Sequence, residues 1–328
     1  MTTESTQQQS VPSGATNRVR DLAIAVRESV QKVIVGKSGA IDLALVALLC
    51  RGHVLVEDVP GTGKTTMAKA LAASLRCQFR RIQFTPDLVP ADVLGINFYN
   101  TKAGEFEFRA GPIFTQLLLA DEINRATPRT QSALLEAMQE RQASIDGVTS
   151  PLPDPFMVIA TLNPVEMEGT FPLPEAQLDR FILRVALGYP SHDEESAMLE
   201  RFQGSGDPAA LEPVAGPEEI AAAQKATDGV LVDETVRGYI LSIIEATRSN
   251  RQLRLGASPR ASLALQHAAQ ARAAMDGRDY VLPDDVKALA SAVLGHRLVA
   301  ESSSILRGNG PSEVIAEIIA ATPVPIER

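Results

Sequence analysis

Tryptophan is absent from the 328 residues, and aromatic residues together make up only 4%. Chains that grip nucleic acid rely on base stacking and on an excess of cationic side chains. This one carries 31 Lys and Arg against 40 Asp and Glu, a net charge of −9. A helicase is therefore disfavoured, although a local basic patch in an assembled ring stays compatible with the composition. Cysteine is scarce too. Cys50 and Cys77 lie in apolar surroundings without metal-type spacing, which reads as buried, reduced thiols. The four histidines are scattered singly, which argues against a metal cluster. Long apolar runs are missing: Leu43 to Cys50 is far too short to cross a bilayer. The polar start, with Glu4 and no apolar segment, does not read as a signal peptide, so a cytoplasmic protein without a membrane anchor is expected. What is present, 45% hydrophobic and 22% charged residues, is ordinary for a soluble protein of roughly two domains.

The stretch that organises the chain is Asp58-Val59-Pro60-Gly61-Thr62-Gly63-Lys64-Thr65-Thr66. It follows the apolar run Val54-Leu55-Val56 and opens into a helical pattern from Met67. Strand, glycine turn and helix form the context of a phosphate loop, in which backbone N–H groups and a helix N-terminus converge on an anion. Gly61 and Gly63 let the backbone approach, Lys64 is placed for the outer phosphates, and the Thr65 hydroxyl for Mg²⁺. Asp58 stands where the strict pattern has its first glycine. A carboxylate facing phosphates would repel them, so its side chain is expected to turn away. The alternative for Gly61 to Thr65 alone is a chance Gly-Lys-Thr at a helix start.

Residues 1–17 are polar, with Pro12 and Gly14, and are expected to form a disordered tail. A helical pattern follows from Val19, with Leu22, Ala25, Val26 and Val30 on one face. Val33-Ile34-Val35-Gly36 suits the lining of an adenine pocket or a plain core contact equally well. After a second expected strand at 79–83, two hairpins interrupt an otherwise βαβ chain. One surrounds Lys102-Ala103-Gly104, and the other carries the type I′ signal Asp146-Gly147. Surface decoration and contact with a substrate are weighed equally for both.

Between the hairpins, the apolar run from Gln116 ends in Asp121-Glu122. Strand ends of a parallel sheet face the ligand crevice, which suits Asp121 to Mg²⁺ and Glu122 to orienting or deprotonating a water. An acidic pair capping a strand at solvent is the plainer reading of the motif by itself. Another apolar run, 156–161, leads to Asn163-Pro164, where the amide is suited to a γ-phosphate and its attacking water, or to a simple turn. Arg180 follows in Leu173 to Phe181; it suits an ion pair with Asp179 or Glu175, or a reach to a neighbour's phosphate. The segment 204–217 is linker-like, separating a core of 18–203 from a C-terminal domain of 218–328. The latter reads as helices at about 218–229, 233–250, 259–275, 284–297 and 312–321. Arg260 sits in a first helical turn, where the dipole mildly disfavours a cation, so an external anion or a nearby acid is its expected partner.

Taken together, Val33 to Gly36, Glu57 to Thr65, Phe84-Thr85-Pro86-Asp87-Leu88, Leu118 to Ala126, Ala160 to Pro164, Leu173 to Phe181 and Ala257-Ser258-Pro259-Arg260 resemble the MoxR family of AAA+ ATPases. The resemblance implies an α/β P-loop core, with a parallel five-stranded sheet flanked by helices and two β-hairpin insertions, followed by a small all-α lid domain. It implies ATP and Mg²⁺ as ligands. Lys64, Thr65 and Asp121 look like its nucleotide and metal residues, and Pro60 to Thr66 like its phosphate cradle. Val35 and Gly36 look like the adenine contact, and Glu122 and Asn163 like its hydrolytic residues. Arg180 resembles an arginine finger and Arg260 the second sensor. Lys37 stands where the family often has glutamine. The family further implies a ring of six subunits that remodels client proteins with an adaptor carrying a von Willebrand factor A domain. A magnesium-chelatase-like subunit, a DNA-remodelling ring and a nucleotide-switched scaffold are the competing readings.

Overall fold

The computed structural model describes residues 14–163, 169–201, 211–306 and 308–325. The chain divides into two compact units: Ala25–Ile220, and Ala221 onward together with residues up to Ile24. Residues 1–13 of the expected tail lie outside the described residues, and only its last part needs correcting, because helix α1 spans Ala15–Gln31. Ala15 and Thr16 are buried, and the Thr16 hydroxyl donates to the Gly277 carbonyl (3.2 Å), so tertiary packing overrides the local Gly and Thr signals. The buried stripe of α1 is Val19, Ala23, Val26 and Val30. Of the expected linker, residues 204–210 lie outside the described residues, and Pro217 already opens a helix.

In the first unit, α2 (Ser38–Leu49) leads to β1 (Val54–Glu57), and α3 (Lys64–Ser74) to β2 (Phe79–Gln83). A short α4 (Pro90–Leu94) precedes the hairpin β3 (Gly95–Asn100) and β4 (Glu105–Ala110). Then come β5 (Leu117–Asp121), α5 (Pro128–Glu140) and the second hairpin, β6 (Gln142–Ile145) and β7 (Val148–Pro151). The unit closes with β8 (Met157–Leu162), α6 (Glu175–Leu178), β9 (Leu183–Val185) and α7 (His192–Arg201).

Five strands form one parallel sheet in the order β2-β5-β8-β1-β9. The three central strands, β5, β8 and β1, are buried almost throughout, as expected of a parallel sheet covered on both faces. Edge strand β2 instead exposes Arg80, Arg81 and Gln83, charged and polar side chains that discourage edge pairing. His53, just before β1, is buried and neutral. Its Nδ1 accepts the Val158 N–H (3.0 Å) and its Nε2–H donates to the Met138 carbonyl (3.0 Å), fastening β8 and α5 to β1. Burial lowers its pKa to about 4. Both expected hairpins are present, and Asp146 and Gly147 take φ of 51° and 81°, as a type I′ turn requires. Asn97 Nδ2 donates to Asp146 Oδ2 (2.9 Å), joining one hairpin to the other.

Helix α8 (Pro217–Asp228) crosses the boundary after Ile220, and the second unit continues with α9 (Glu234–Ser249), β10 (Leu253–Leu255), α10 (Pro259–Met275) and α11 (Pro283–Leu294). It ends with β11 (Val299–Ala300), α12 (Ser302–Ile305) and α13 (Pro311–Ala321). It is helical as expected, apart from the small antiparallel ribbon of β10 and β11. Ser258 caps α10 by accepting the Ala261 N–H (3.2 Å). Cys50 and Cys77 are free thiols, half-buried rather than buried, and burial pushes Cys77 up to about 11, which leaves it unreactive. Among the described residues, no helix is long and apolar enough to cross a membrane, and no cluster of three or more His, Cys, Asp or Glu could hold a metal.

Candidate functional site

The turn between β1 and α3 needs left-handed backbone at Gly61 (φ 85°) and Gly63 (φ 92°), and the space where a Cβ would sit on either is open. Helix α3 begins at Lys64, so its first N–H groups face the turn. Lys64 Nζ folds back to donate to the carbonyls of Asp58 (3.0 Å) and Val59 (2.7 Å). Asp58 is buried and does turn away: its Oδ1 accepts the Val59 N–H (2.8 Å), and its Oδ2 accepts the N–H groups of Leu187 (2.8 Å) and Gly188 (2.7 Å). A side chain that could have repelled phosphate thus fastens the turn to the exit of β9.

Parallel register brings Asp121, at the end of β5, beside Thr161 on β8 and Gln83 on β2. The Thr161 hydroxyl donates to Asp121 Oδ1 (2.6 Å) and accepts the Glu122 N–H (2.8 Å). Arg81 donates to Asp121 Oδ2 from Nη2 (2.6 Å) and Nε (3.1 Å). Glu122 occupies the left-handed region (φ 57°), which costs a non-glycine residue about 1 kcal/mol and is upheld here by the Thr161 bond. Its carboxylate takes the Gln83 amide (2.8 Å) and lies 3.1 Å from Arg125 Nε. Below, the buried Gln131 amide is shared among the carbonyls of Ile123, Ala126 and Phe171, bracing the loop after Glu122.

These elements enclose a cavity of about 370 Å³ lined by Pro60, Gly61, Gly63, Lys64, Thr65, Thr66, Arg81, Asp121, Glu122, Thr161, Leu162 and Asn163. Most of the sequence-nominated residues therefore meet in one place. Thr62 lies outside the lining, with its hydroxyl on the Val59 carbonyl (3.3 Å). Val35 and Gly36 also lie outside it, where Gly36 abuts the Glu194 carboxylate and Lys37 donates to the Tyr189 carbonyl (2.9 Å). Among the described residues, the half-buried Arg180 makes no side-chain ion pair, with Asp179 and Glu175 included. Arg260 is exposed in the first turn of α10, in the second unit. Thr65 and Asp121, whose hydroxyl and carboxylate are hard oxygen donors, line the same cavity. Asp121 already draws a full positive charge onto Oδ2, and this donor set fits Mg²⁺.

Residues 53–183 match the ATPase family associated with various cellular activities (AAA), and residues 245–318 match the AAA lid domain. The chain is 41% identical to chaperone MoxR1 of Mycobacterium tuberculosis, over 95% of its own length and 84% of that protein. It is 32% identical to protein MoxR of Paracoccus denitrificans, over 89% and 93% of the two chains. The chain belongs to the MoxR family of AAA+ ATPases. Within reach of the same comparison is the Bacillus subtilis protein YeaC, 49% identical over 92% of this chain and 94% of that one. A crystal structure from Cytophaga hutchinsonii, described as a candidate ATPase, superposes with a TM-score of 0.88 at 36% identity, covering 95% and 97% of the two chains. Both the sheet core and the helical C-terminal region expected of a MoxR-family chain are thus present.

Sequence reasoning passed over Arg81, Gln83, Thr161 and Gln131. Each is separated from its partner by tens of residues or acts on backbone carbonyls; for Arg81, Gln83 and Thr161 the available signal was a position at or near the end of an expected strand, and Gln131, on α5, carried none.

Proposed function

We propose that this MoxR-family chain hydrolyses ATP to ADP and phosphate. The observation that carries the reading is that Lys64, Thr65, Asp121, Glu122 and Asn163 line one cavity beside a helix N-terminus. Backbone N–H groups of the turn and Lys64 would bind the phosphates, with Lys64 exchanging two carbonyl acceptors for charged oxygens. Thr65 and Asp121 would hold Mg²⁺, which when bound neutralises phosphate charge. Glu122 takes the proton of the attacking water, and Asn163 orients that water. The left-handed backbone at Glu122 aims its carboxylate off the strand end, and Gln83 and Arg125 hold it until a water competes.

Arg180 supplies its guanidinium to the nucleotide of a neighbouring subunit in a ring of six, and Arg260 senses the nucleotide from the lid. The lack of an ion pair for Arg180 among the described residues supports this role. Val35, Gly36 and Thr62 would complete the nucleotide's surroundings. The motor acts in the cytoplasm on client proteins, with an adaptor carrying a von Willebrand factor A domain; the chaperone naming of the Mycobacterium tuberculosis relative supports a protein client. The paired hairpins, whose Phe106 is 74% exposed and stacks edge-on with Tyr99, are suited to touching that client. Sedimentation of Glu122→Gln with Mg²⁺-ATP and with Mg²⁺-ADP tests the assembly. A species near six subunits with ATP supports the ring, and a monomer under both conditions overturns it. Loss of hydrolysis in Arg180→Ala, restored by mixing with Lys64→Ala, is the expected sign of action in trans.

A further inference from the structure

We propose that Arg81 is the resident counter-cation of the site: it holds Asp121 when no divalent ion is bound and yields that carboxylate when one arrives. The inference rests on the assignment of Asp121 to Mg²⁺ and names the group the ion must displace.

Asp121 is buried, with its side chain 12% exposed, and an ionised carboxylate in that position requires a compensating charge. Its two oxygens are divided. Oδ1 takes the Thr161 hydroxyl, and Oδ2 takes Arg81 alone. The arginine side is built differently, since its side chain is 46% exposed on edge strand β2. Its guanidinium can leave for water at small cost once another cation sits on Asp121, because its own side chain already stands half in solvent. A landing place is at hand: Nη2 already donates to Gln83 Oε1 (2.7 Å). Arg81 lines the same cavity as Lys64 and Thr65, so a cation binding there meets the guanidinium on the oxygen it needs. Two positive groups on one carboxylate oxygen repel each other, which favours departure of the more mobile one. Without either, Asp121 would face incoming phosphates bare.

The test is equilibrium binding of a fluorescent ADP analogue to the full-length chain, with Mg²⁺ and with a chelator in its place. In Arg81→Gln, metal-free affinity is expected to fall about tenfold, the size expected for losing a hydrogen bond to a charged group. With Mg²⁺ it should stay within about threefold, since the arginine has then already left and contributes little. The ratio of the two dissociation constants rises accordingly. Arg81→Lys, which keeps the charge, should restore most of the metal-free affinity, and in an Asp121→Asn background Arg81→Gln should change neither constant. Equal losses with and without Mg²⁺ would make Arg81 an ordinary phosphate ligand and overturn the proposal, as would no change in either. Wild-type protein that binds the analogue but ignores Mg²⁺ would overturn the metal assignment, and wild-type protein that binds none would overturn the nucleotide reading itself.

Discussion

Asp121 in the αβ unit and Asp285 in the helical unit are both buried carboxylates held by an arginine, at 2.6 and 2.7 Å. Arg278 grips both oxygens of Asp285, while Asp285 Oδ2 also accepts the Leu282 N–H at the start of α11. Arg278 further donates to Asp276 and to the Tyr280 carbonyl, and its hydrogen bond to Asp285 raises its pKa. Its side chain is 20% exposed. Every bond of that pair closes on the helical unit itself. Asp121 has its arginine on one oxygen only, and that arginine is more than twice as exposed and borders a cavity. Identical chemistry thus serves as a lock where both partners are enclosed and as a replaceable contact where one stands in water.

The largest expected effect strikes the open side of this contrast. Glu122→Gln should lower turnover by about 10³-fold, the scale of a lost general base, while the chain still binds ATP. Wild-type turnover in that variant, in a steady-state phosphate-release assay, would remove the role given to Glu122. Next comes the lock. Arg278→Ala leaves Asp285 buried without its cation and should cost about 3 kcal/mol in urea unfolding of the helical unit. The same truncation at Arg81 should cost less, about 1.5 kcal/mol, because Arg81 is half in solvent and Thr161 still donates to Asp121. Equal losses at the two arginines would erase the distinction.

His53 sharpens the comparison from within the αβ unit, since it is enclosed like Asp285 but kept neutral. Its pKa, near 6.5 when unfolded, is about 4 in the folded chain. The unfolded chain therefore takes up the proton first, so this contribution is complete above about pH 6.5 and drains away as pH falls toward 4. The loss over that window is on the order of 3 kcal/mol, and replacing His53 by Gln should flatten the slope of stability against pH. The smallest effect concerns the hydroxyl between the two acids. Thr161→Val removes a donor from Asp121 and an acceptor from the Glu122 N–H, and should lower turnover about tenfold, or roughly 1.4 kcal/mol. A variant with unchanged turnover would show that Glu122 keeps its left-handed backbone without help.

How much of this could be read in advance follows from distance along the chain. The phosphate loop was legible because its turn, lysine and hydroxyl are consecutive, and both hairpins because their turn residues sit between alternating strands. Asp121 and Glu122 were legible because they end an apolar run. Arg81 was not, since nothing in Phe79-Arg80-Arg81-Ile82-Gln83 says which strand lies beside it. Asp58 lay between these cases: elementary electrostatics required it to turn away, but only the fold shows that the N–H groups of Leu187 and Gly188 receive it. The start of α1 was misread because Ala15 and Thr16 become helical through burial against residues near Gly277.

The sequence by itself determined the parts that depend on neighbours in the chain: the glycine turn ahead of α3, the buried strands, the two hairpins and the helices of the C-terminal unit. Tertiary structure alone decided which charges meet. Strand order and parallel register set Arg81 and Thr161 against the two oxygens of Asp121, each forty residues away from it. Hydrogen bonds between adjacent strands fix such meetings, and no local pattern encodes the register they take.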